Sequence, residues 1–170
     1  MKRILILGVV LLLISCSKSD QILFEMNVEA EFVIQPGLGT LDTHYFTINQ
    51  VPTRIKTYVP SGDFLAIGKI LPNRAEIRSH FDPFDFSIVQ EVSIWAISAR
   101  DPNLRKEIFY QDRVNFSEQK ELRLFSSLSE VSDILLEDEF DLEVRLRFRT
   151  FTPTETQTRL TMNFLVNGIQ

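Results

Sequence analysis

The sequence predicts an all-β fold: a single antiparallel β-sandwich of Ig-like or Greek-key type with one short helix. Three observations lead to this class. Long segments alternate apolar and polar residues with a period of two, turns rich in proline and glycine separate them, and one short segment has helical spacing. Strands and helices do not alternate along the chain, which argues against a βαβ architecture. A closed β-barrel is the alternative, because about six to eight strands suit either form.

The first two strands are predicted at 22–34 and 43–51. In Ile22–Ile34 the even positions are apolar and most odd positions are glutamate or asparagine. Such alternation is typical of a strand with one buried and one exposed face. Pro36 and Gly37 then predict a turn. Thr43–Val51 is rich in β-branched and aromatic residues, which favour a strand. From Pro52 to Asn73 repeated prolines break the pattern. Short strands or irregular edges fit this region, but the sequence does not give their bounds.

The middle of the chain contains its most apolar segment outside the N-terminus, Phe86–Ala99. A strand that is apolar on both faces is usually central and covered on both sides, so we expect Trp95 in the core. Glu107–Tyr110 and Glu121–Phe125 are predicted as further short strands.

The one helical segment is Ser129–Leu136, with apolar residues at i, i+3 and i+4 and with Ser129 as its expected N-cap. Glu137, Asp138 and Glu139 follow it, and Asp141 comes soon after. These acids lack the spacing of a calcium-binding loop and are interpreted as a solvated helix end.

The C-terminal residues carry the strongest period-two pattern. Apolar side chains alternate with charged or polar ones from Phe140 to Phe148 and again from Leu160 to Val166. The two runs, joined through Pro153, are predicted to form a hairpin. We favour a register with Phe148 beside Met162, because it avoids placing Arg149 opposite another arginine.

Composition and charge limit the class of function. The chain has 170 residues, 18 basic and 23 acidic side chains, a net charge of −5 and one cysteine. The length suits one domain, and the hydrophobic content of 44% argues against disorder. The acidic balance argues against nucleic-acid binding, and one cysteine excludes an internal disulfide and any multi-cysteine metal site.

The N-terminus has the form of a secretory signal. Lys2 and Arg3 precede the apolar run Ile4–Ile14, which is followed by the small residue Ser15. Eleven helical residues would reach only about 16 Å, roughly half of the hydrocarbon core of a bilayer. A membrane-spanning helix is therefore not expected.

The sequence Leu13-Ile14-Ser15-Cys16 resembles the lipobox of bacterial lipoproteins, Leu-x-(Ser/Ala/Gly)-Cys. The resemblance implies cleavage before Cys16, which then carries a thioether-linked diacylglycerol and usually an acylated amine. Several acyl chains are needed because one chain alone binds a membrane only marginally. The resemblance covers the N-terminus, and no family is recognised for the domain that follows. The alternative is an ordinary secreted protein in which Cys16 is incidental.

These features divide the chain into a signal peptide at 1–15, a lipidated tether at 16–21 and a β-sandwich domain at 22–170. Cleavage removes Lys2 and Arg3, so 16 basic residues face 23 acidic ones and the balance falls from −5 to −7. Position 17 is Ser, whereas an Asp there retains lipoproteins of the enterobacterial type at the inner membrane. We therefore expect a lipid-anchored protein of the bacterial envelope, at the outer membrane in either leaflet.

Two clusters are candidate sites. His80, Asp82 and Asp85 lie within six positions and supply nitrogen and oxygen ligands for a divalent metal; the alternative is a turn around Pro83. The second cluster would contact an anionic partner such as lipid headgroups or an acidic polysaccharide. Its residues are the arginines of the expected C-terminal hairpin: Arg145, Arg147, Arg149 and Arg159. The alternative is a charged face that discourages edge pairing.

The sequence contains no catalytic signature. It has no Gly-x-Ser-x-Gly elbow and no phosphate-binding glycine loop, and no cofactor is expected. His44 lies inside a predicted strand and would act as a base only if it faced a cleft. The leading hypothesis is a non-enzymatic, lipid-anchored envelope protein that binds a protein or glycan partner, in adhesion or assembly. The alternatives are a carrier of an apolar ligand in a barrel and an envelope hydrolase whose site is built from scattered acids.

Overall fold

The computed structural model describes residues 21–59, 64–81 and 83–169. Nearly all of the regular structure is β, with two helices of four residues each, α1 (Ile55–Tyr58) and α2 (Ser132–Leu135). The strands are β1 (Ile22–Ile34), β2 (Thr43–Pro52), β3 (Ile67–Ser79), β4 (Val89–Ser98), β5 (Arg105–Gln111), β6 (Glu121–Ser126), β7 (Glu139–Phe148) and β8 (Thr156–Gly168). The predicted all-β antiparallel class is confirmed.

The eight strands form one antiparallel sheet in the order β1-β8-β3-β6-β5-β4-β7-β2. It folds into two four-stranded layers, which are joined where Phe109 and Tyr110 of β5 pair with Ser126 and Phe125 of β6. The outer strands β1 and β2 approach each other, and the rings of Phe32 and Phe46 lie 5.2 Å apart. The sandwich is therefore almost closed into the barrel that the sequence left as the alternative.

The strand pairing follows a simple rule. The first strand pairs with the last, β2 with β7, β3 with β6 and β4 with β5, as in one long hairpin wrapped around itself. This is the topology of a jelly roll, a double Greek key. Every connection except the hairpin between β4 and β5 therefore passes from one layer to the other.

Several predicted elements are confirmed. The first strand has the bounds given by its alternation, Ile22–Ile34, and β2, β5 and β6 lie where short strands were expected. Gly37 adopts a φ of 79° in the turn after β1, a conformation that glycine tolerates without strain.

The predicted C-terminal hairpin is wrong, although both of its strands exist. The seventh strand pairs with β2 and β4, and β8 pairs with β1 and β3, so Phe148 does not lie beside Met162. Alternation requires only that both apolar faces point to the core. Two strands that face each other across the core satisfy that requirement as well as two strands paired in one layer.

The third strand, β3, was not predicted. Pro72 lies within it, at a bulge between Pro72 and Arg74 in the pairing with β8. Proline lacks the N–H that a ladder needs and is tolerated at an edge or a bulge. The pairing with β6 begins only at Ala75, so Pro72 lies outside that ladder.

Three predictions for the middle of the chain are corrected. The fourth strand lies between β5 and β7, but only one face is buried, and Trp95 is half-buried on the outward face. The second helix starts after Val131, and Ser129 does not cap it. Glu137 is not solvated: it is 8% exposed, and its carboxylate accepts hydrogen bonds from Ser98 Oγ at 2.8 Å and Ala99 N at 3.1 Å.

The space between the layers is filled by one hydrophobic cluster. Its largest members are the fully buried phenylalanines Phe86, Phe109, Phe140, Phe148 and Phe164. A packed interior of this kind argues against the apolar-ligand carrier, which needs an open apolar cavity. Among the described residues, no helix is long and apolar enough to cross a membrane.

Candidate binding surfaces

The four arginines of the predicted anion cluster do not come together. Arg145 and Arg147 lie on β7 and Arg149 directly follows it, all in one layer. Arg159 lies on β8 in the other layer. Their separation follows from the jelly-roll topology, in which β7 and β8 are not neighbours.

Arg149 has a structural role at the end of β7. Its guanidinium donates to the carbonyl oxygen of Ser87 at 2.6 Å and to those of Val89 and Val114, and it lies 4.2 Å from the ring centre of Phe116. These contacts connect three separate loop segments. The guanidinium is thereby engaged within the protein.

Arg159 is engaged on the other layer. It lies 3.1 Å from Glu31 Oε1 and donates to His80 Nδ1 at 3.0 Å. His80 also lies 3.5 Å from Glu31 and packs against Phe81. The backbone N–H of His80 donates to Gln157 O. His80 therefore lies beside a surface ion pair, and among the described residues it does not share a cleft with a pair of carboxylates.

Arg145 and Arg147 line a depression of about 230 Å³ on the outer face of β2, β7 and β4. The groups around Arg145 bind one another. Arg145 lies 2.6 Å from Glu143 and over the rings of Trp95 and Tyr45, and Trp95 Nε1 donates to Ser93 Oγ. Most of the polar groups on this face are thus satisfied internally.

The predicted metal cluster is described only in part. Asp82 lies outside the described residues. Both carboxylate oxygens of Asp85 accept hydrogen bonds, from Ser87 N at 2.9 Å, Ser87 Oγ at 2.7 Å and Gln119 N at 3.0 Å. Among the described residues there is no group of three or more His, Cys, Asp or Glu placed to hold a metal. The metal site stays a prediction.

Asp85 gives the structure a pH dependence. Hydrogen bonds from the Ser87 side chain and from the backbone N–H groups of Gln119 and Ser87 hold the pKa of the Asp85 carboxyl below its ordinary value of 3.8. The ionised carboxylate therefore contributes stability above that value, and the contribution is lost as pH falls through the lowered pKa.

We expect Asp85→Asn to be less stable than the wild type by less than about 1 kcal/mol between pH 5 and 7, because the carboxylate is exposed. The difference should shrink as the pH falls below about 3.8. Urea unfolding across this range measures it, with Asp112→Asn, an exposed aspartate in the loop between β5 and β6, as the control. A difference that grows in acid would contradict this assignment.

His44 lies in β2 and is half-buried. Its Nε2 is 2.8 Å from Gly39 O, and its ring packs 5.6 Å from that of Phe148. This arrangement fixes the β1–β2 loop. Within the described ranges it does not bring His44 together with a pair of carboxylates.

A larger depression, of about 520 Å³, lies on the outer face of the layer β1-β8-β3-β6. We call it the arginine groove. Its lining includes three arginines, one glutamate and three uncharged polar residues: Arg74, Arg78, Arg123, Glu76, Asn27, Thr161 and Asn163.

The strand register places these side chains in rows. Asn163 lies opposite both Asn27 and Arg74, and the next row joins Thr161, Glu76 and Arg123. Each row crosses several strands, so the groove forms only when these strands are paired in the sheet.

The amide of Asn163 forms the floor of the arginine groove. It is 2% exposed, donates to Asn27 Oδ1 at 2.8 Å and Glu25 Oε2 at 3.0 Å, and accepts from Asn73 Nδ2 at 2.7 Å. Because all of these bonds are internal to the protein, the floor is fixed before any ligand arrives.

The arginines at the rim differ in their partners. Arg78 and Arg123 share the carboxylate of Glu121, at 2.6 and 2.7 Å, and Arg78 also forms an ion pair with Glu76. Arg74 is exposed and forms no ion pair within the described part of the chain. Within these residues the groove thus offers one guanidinium without an ion pair, that of Arg74, whereas the guanidinium groups of Arg78 and Arg123 already have carboxylate partners.

Sequence reasoning missed the arginine groove. Arg74, Glu76 and Arg78 alternate with apolar residues, which would have identified an outward strand face. Pro72 and Asn73 interrupt the pattern just before these residues, so the sequence pattern places no strand there. Arg123 joins the groove only through the pairing of β3 with β6, which local spacing does not predict.

Comparison with known proteins identifies no family. No family model matches the chain, and no curated protein matches its sequence. A solved structure of Desmodium yellow mottle tymovirus is similar over 92% of this chain and 95% of its own, with 14% identity and a TM-score of 0.29. A structure of empty heads of Turnip Yellow Mosaic Virus is similar over 91% and 85%, with 9% identity and a TM-score of 0.29. At these TM-scores neither likeness bears on what this chain binds.

Proposed function

We propose that this chain is a lipid-anchored, non-enzymatic binding protein of the bacterial envelope whose arginine groove takes an anionic polysaccharide. The main support for this binding site is the composition of the groove. Three guanidinium groups line one face of the sheet, around the fixed amide of Asn163.

The anchor is supported by the sequence. Leu13-Ile14-Ser15-Cys16 resembles a lipobox, and it follows a positively charged start and an apolar run of signal-peptide length. Diacylglycerol on Cys16 would hold the domain at the membrane through the short tether at 16–21, with the outer membrane as the expected location.

The ligand class follows from the chemistry of the groove. Guanidinium groups recognise carboxylate, sulfate or phosphate groups through paired N–H donors, and neighbouring Asn and Thr side chains suit the hydroxyl groups of a sugar. The mature chain carries an excess of acids, so a site lined by three arginines and one glutamate stands out against its surroundings. The proposal includes no chemical step.

The anchor is tested by replacing Cys16 with Ser. We expect loss of acyl labelling and release of the protein from the membrane fraction, because each acyl CH₂ contributes about 0.8 kcal/mol of membrane binding. Membrane attachment that persists without an acyl label would contradict the lipid anchor.

The binding site is tested with polygalacturonate and with neutral dextran as a matched probe. The full-length protein should bind polygalacturonate with an affinity that falls as salt rises, and it should not bind dextran. We expect Arg74→Ala to weaken binding about tenfold or more, since a hydrogen bond to a charged group contributes about 1.5–3 kcal/mol.

Arg147→Ala on the other layer is the control and should bind like the wild type. An equal loss of affinity in the two variants would show that the attraction to polygalacturonate is non-specific. Unchanged binding by Arg74→Ala would contradict the arginine groove as the binding site.

A further inference from the structure

An apolar patch lies at the end of the sandwich where β1 begins. We call this end the tether end and the four side chains the apolar patch. They are exposed large hydrophobic residues from three segments: Ile22 at 54%, Leu23 at 43%, Leu65 at 84% and Ile169 at 64%.

Backbone contacts hold these three segments side by side. Gly168 N donates to Gln21 O at 2.9 Å, and Ile169 N donates to Ala66 O at 3.0 Å. Leu23 also lies against Gly168, where a Cβ atom would be 3.3 Å from the leucine side chain. The apolar patch is therefore one surface built on the start of β1, the end of β8 and the turn that precedes β3.

We propose that the apolar patch seats the domain on the bilayer that holds its own lipid anchor, an inference that rests on the proposed lipidation of Cys16. Leucine and isoleucine side chains at the membrane interface gain free energy by leaving water. Lys69, exposed on β3 opposite Asn167, adds a cation at the same end, where lipid phosphates would lie.

The length of the tether supports the membrane as the occupant. Six residue steps separate Cys16 from Ile22. Even a fully extended chain covers at most about 20 Å over that length, so the tether end stays near the membrane surface.

The opposite end also has exposed apolar residues, but the tether keeps it away from that membrane. Each of its four loops carries one of them: Leu41, Phe81, Phe116 and Phe151. The first strand has 13 residues and spans about 43 Å, which is more than the tether can reach. These positions therefore serve as matched controls in the same molecule.

The test uses full-length lipidated protein in vesicles of phosphatidylethanolamine and phosphatidylglycerol. Single cysteines are introduced for a nitroxide spin label at the patch, Leu65→Cys and Ile169→Cys, and at the opposite end, Leu41→Cys and Phe151→Cys. All four positions are exposed, so the fold should tolerate the changes. The chain has no other cysteine than Cys16, whose sulfur is blocked when it is acylated.

We expect labels at 65 and 169 to be roughly threefold less accessible to a water-soluble nickel relaxant than labels at 41 and 151. Equal accessibility at both ends, in protein that still floats with the vesicles, would overturn the proposed contact between the apolar patch and the bilayer. The lipid anchor would remain supported. A wild-type chain that accepts label at Cys16 and does not float would overturn the lipid anchor, and with it the proposed contact between the apolar patch and the bilayer.

Discussion

Arg149→Ala lowers the free energy of unfolding by about 2–4 kcal/mol in our expectation, more than any exposed substitution on the same strand. The guanidinium donates to the carbonyl oxygens of Ser87, Val89 and Val114, and it stacks on Phe116. Hydrogen bonds from a charged donor contribute about 1.5–3 kcal/mol each, and they are not additive. Alanine leaves these half-buried carbonyl groups without a donor.

Urea unfolding of Arg149→Ala and of two comparison variants measures this effect. Arg147→Ala removes a neighbouring arginine that is exposed, and it should change stability by less than about 0.5 kcal/mol. Arg149→Lys keeps the charge, but an ammonium group lacks the planar set of N–H donors of a guanidinium. We therefore expect an intermediate loss of stability. Similar values for Arg147→Ala and Arg149→Ala would show that Arg149 does not connect the loops.

Glu137→Ala has an expected cost of similar size, about 2–4 kcal/mol. The carboxylate accepts from Ser98 Oγ and Ala99 N, and Ser98 Oγ in turn accepts from Arg100 N and Asp101 N at 3.1 Å. Each buried donor left without an acceptor costs about 1–3 kcal/mol. The change therefore removes hydrogen bonds that stabilise the turn between β4 and β5.

Thermal or urea unfolding compares Glu137→Ala with Glu139→Ala, which removes an exposed acid two residues away. We expect the Glu139 variant to remain within about 0.5 kcal/mol of the wild type. Glu137→Gln retains one acceptor and should fall between the two. A cost for Glu137→Ala no larger than that of Glu139→Ala would mean that the carboxylate is not a structural acceptor.

Side-chain alternation predicted strands well where it was unbroken. It gave the bounds of β1 and the face that each residue of β7 presents, because these depend on period two alone. It failed at β3, where Pro72 interrupts the pattern although the strand continues past it through a bulge. It also failed for Glu137, because nothing in a run of three acids tells which one turns inward to meet Ser98.

The candidate sites were predicted less well than the strands, and the reason is topological. The four arginines near the C-terminus were grouped by assuming that neighbouring strands in sequence are paired. The jelly roll separates Arg159 from the others and brings Arg123 to Arg74 and Arg78 instead. Which outward side chains share a surface depends on strand order.

The sequence by itself determined the all-β class and the direction of most side chains, and it predicts the lipid anchor at Cys16. These properties depend on short-range pattern and on local motifs. Only the tertiary structure decided that the first strand pairs with the last, which forms the arginine groove and joins Ile22, Leu23, Leu65 and Ile169 into the apolar patch. The physical reason is that burial fixes which face of a strand points inward, whereas the choice of partner strand depends on the packing and closure of the whole sheet.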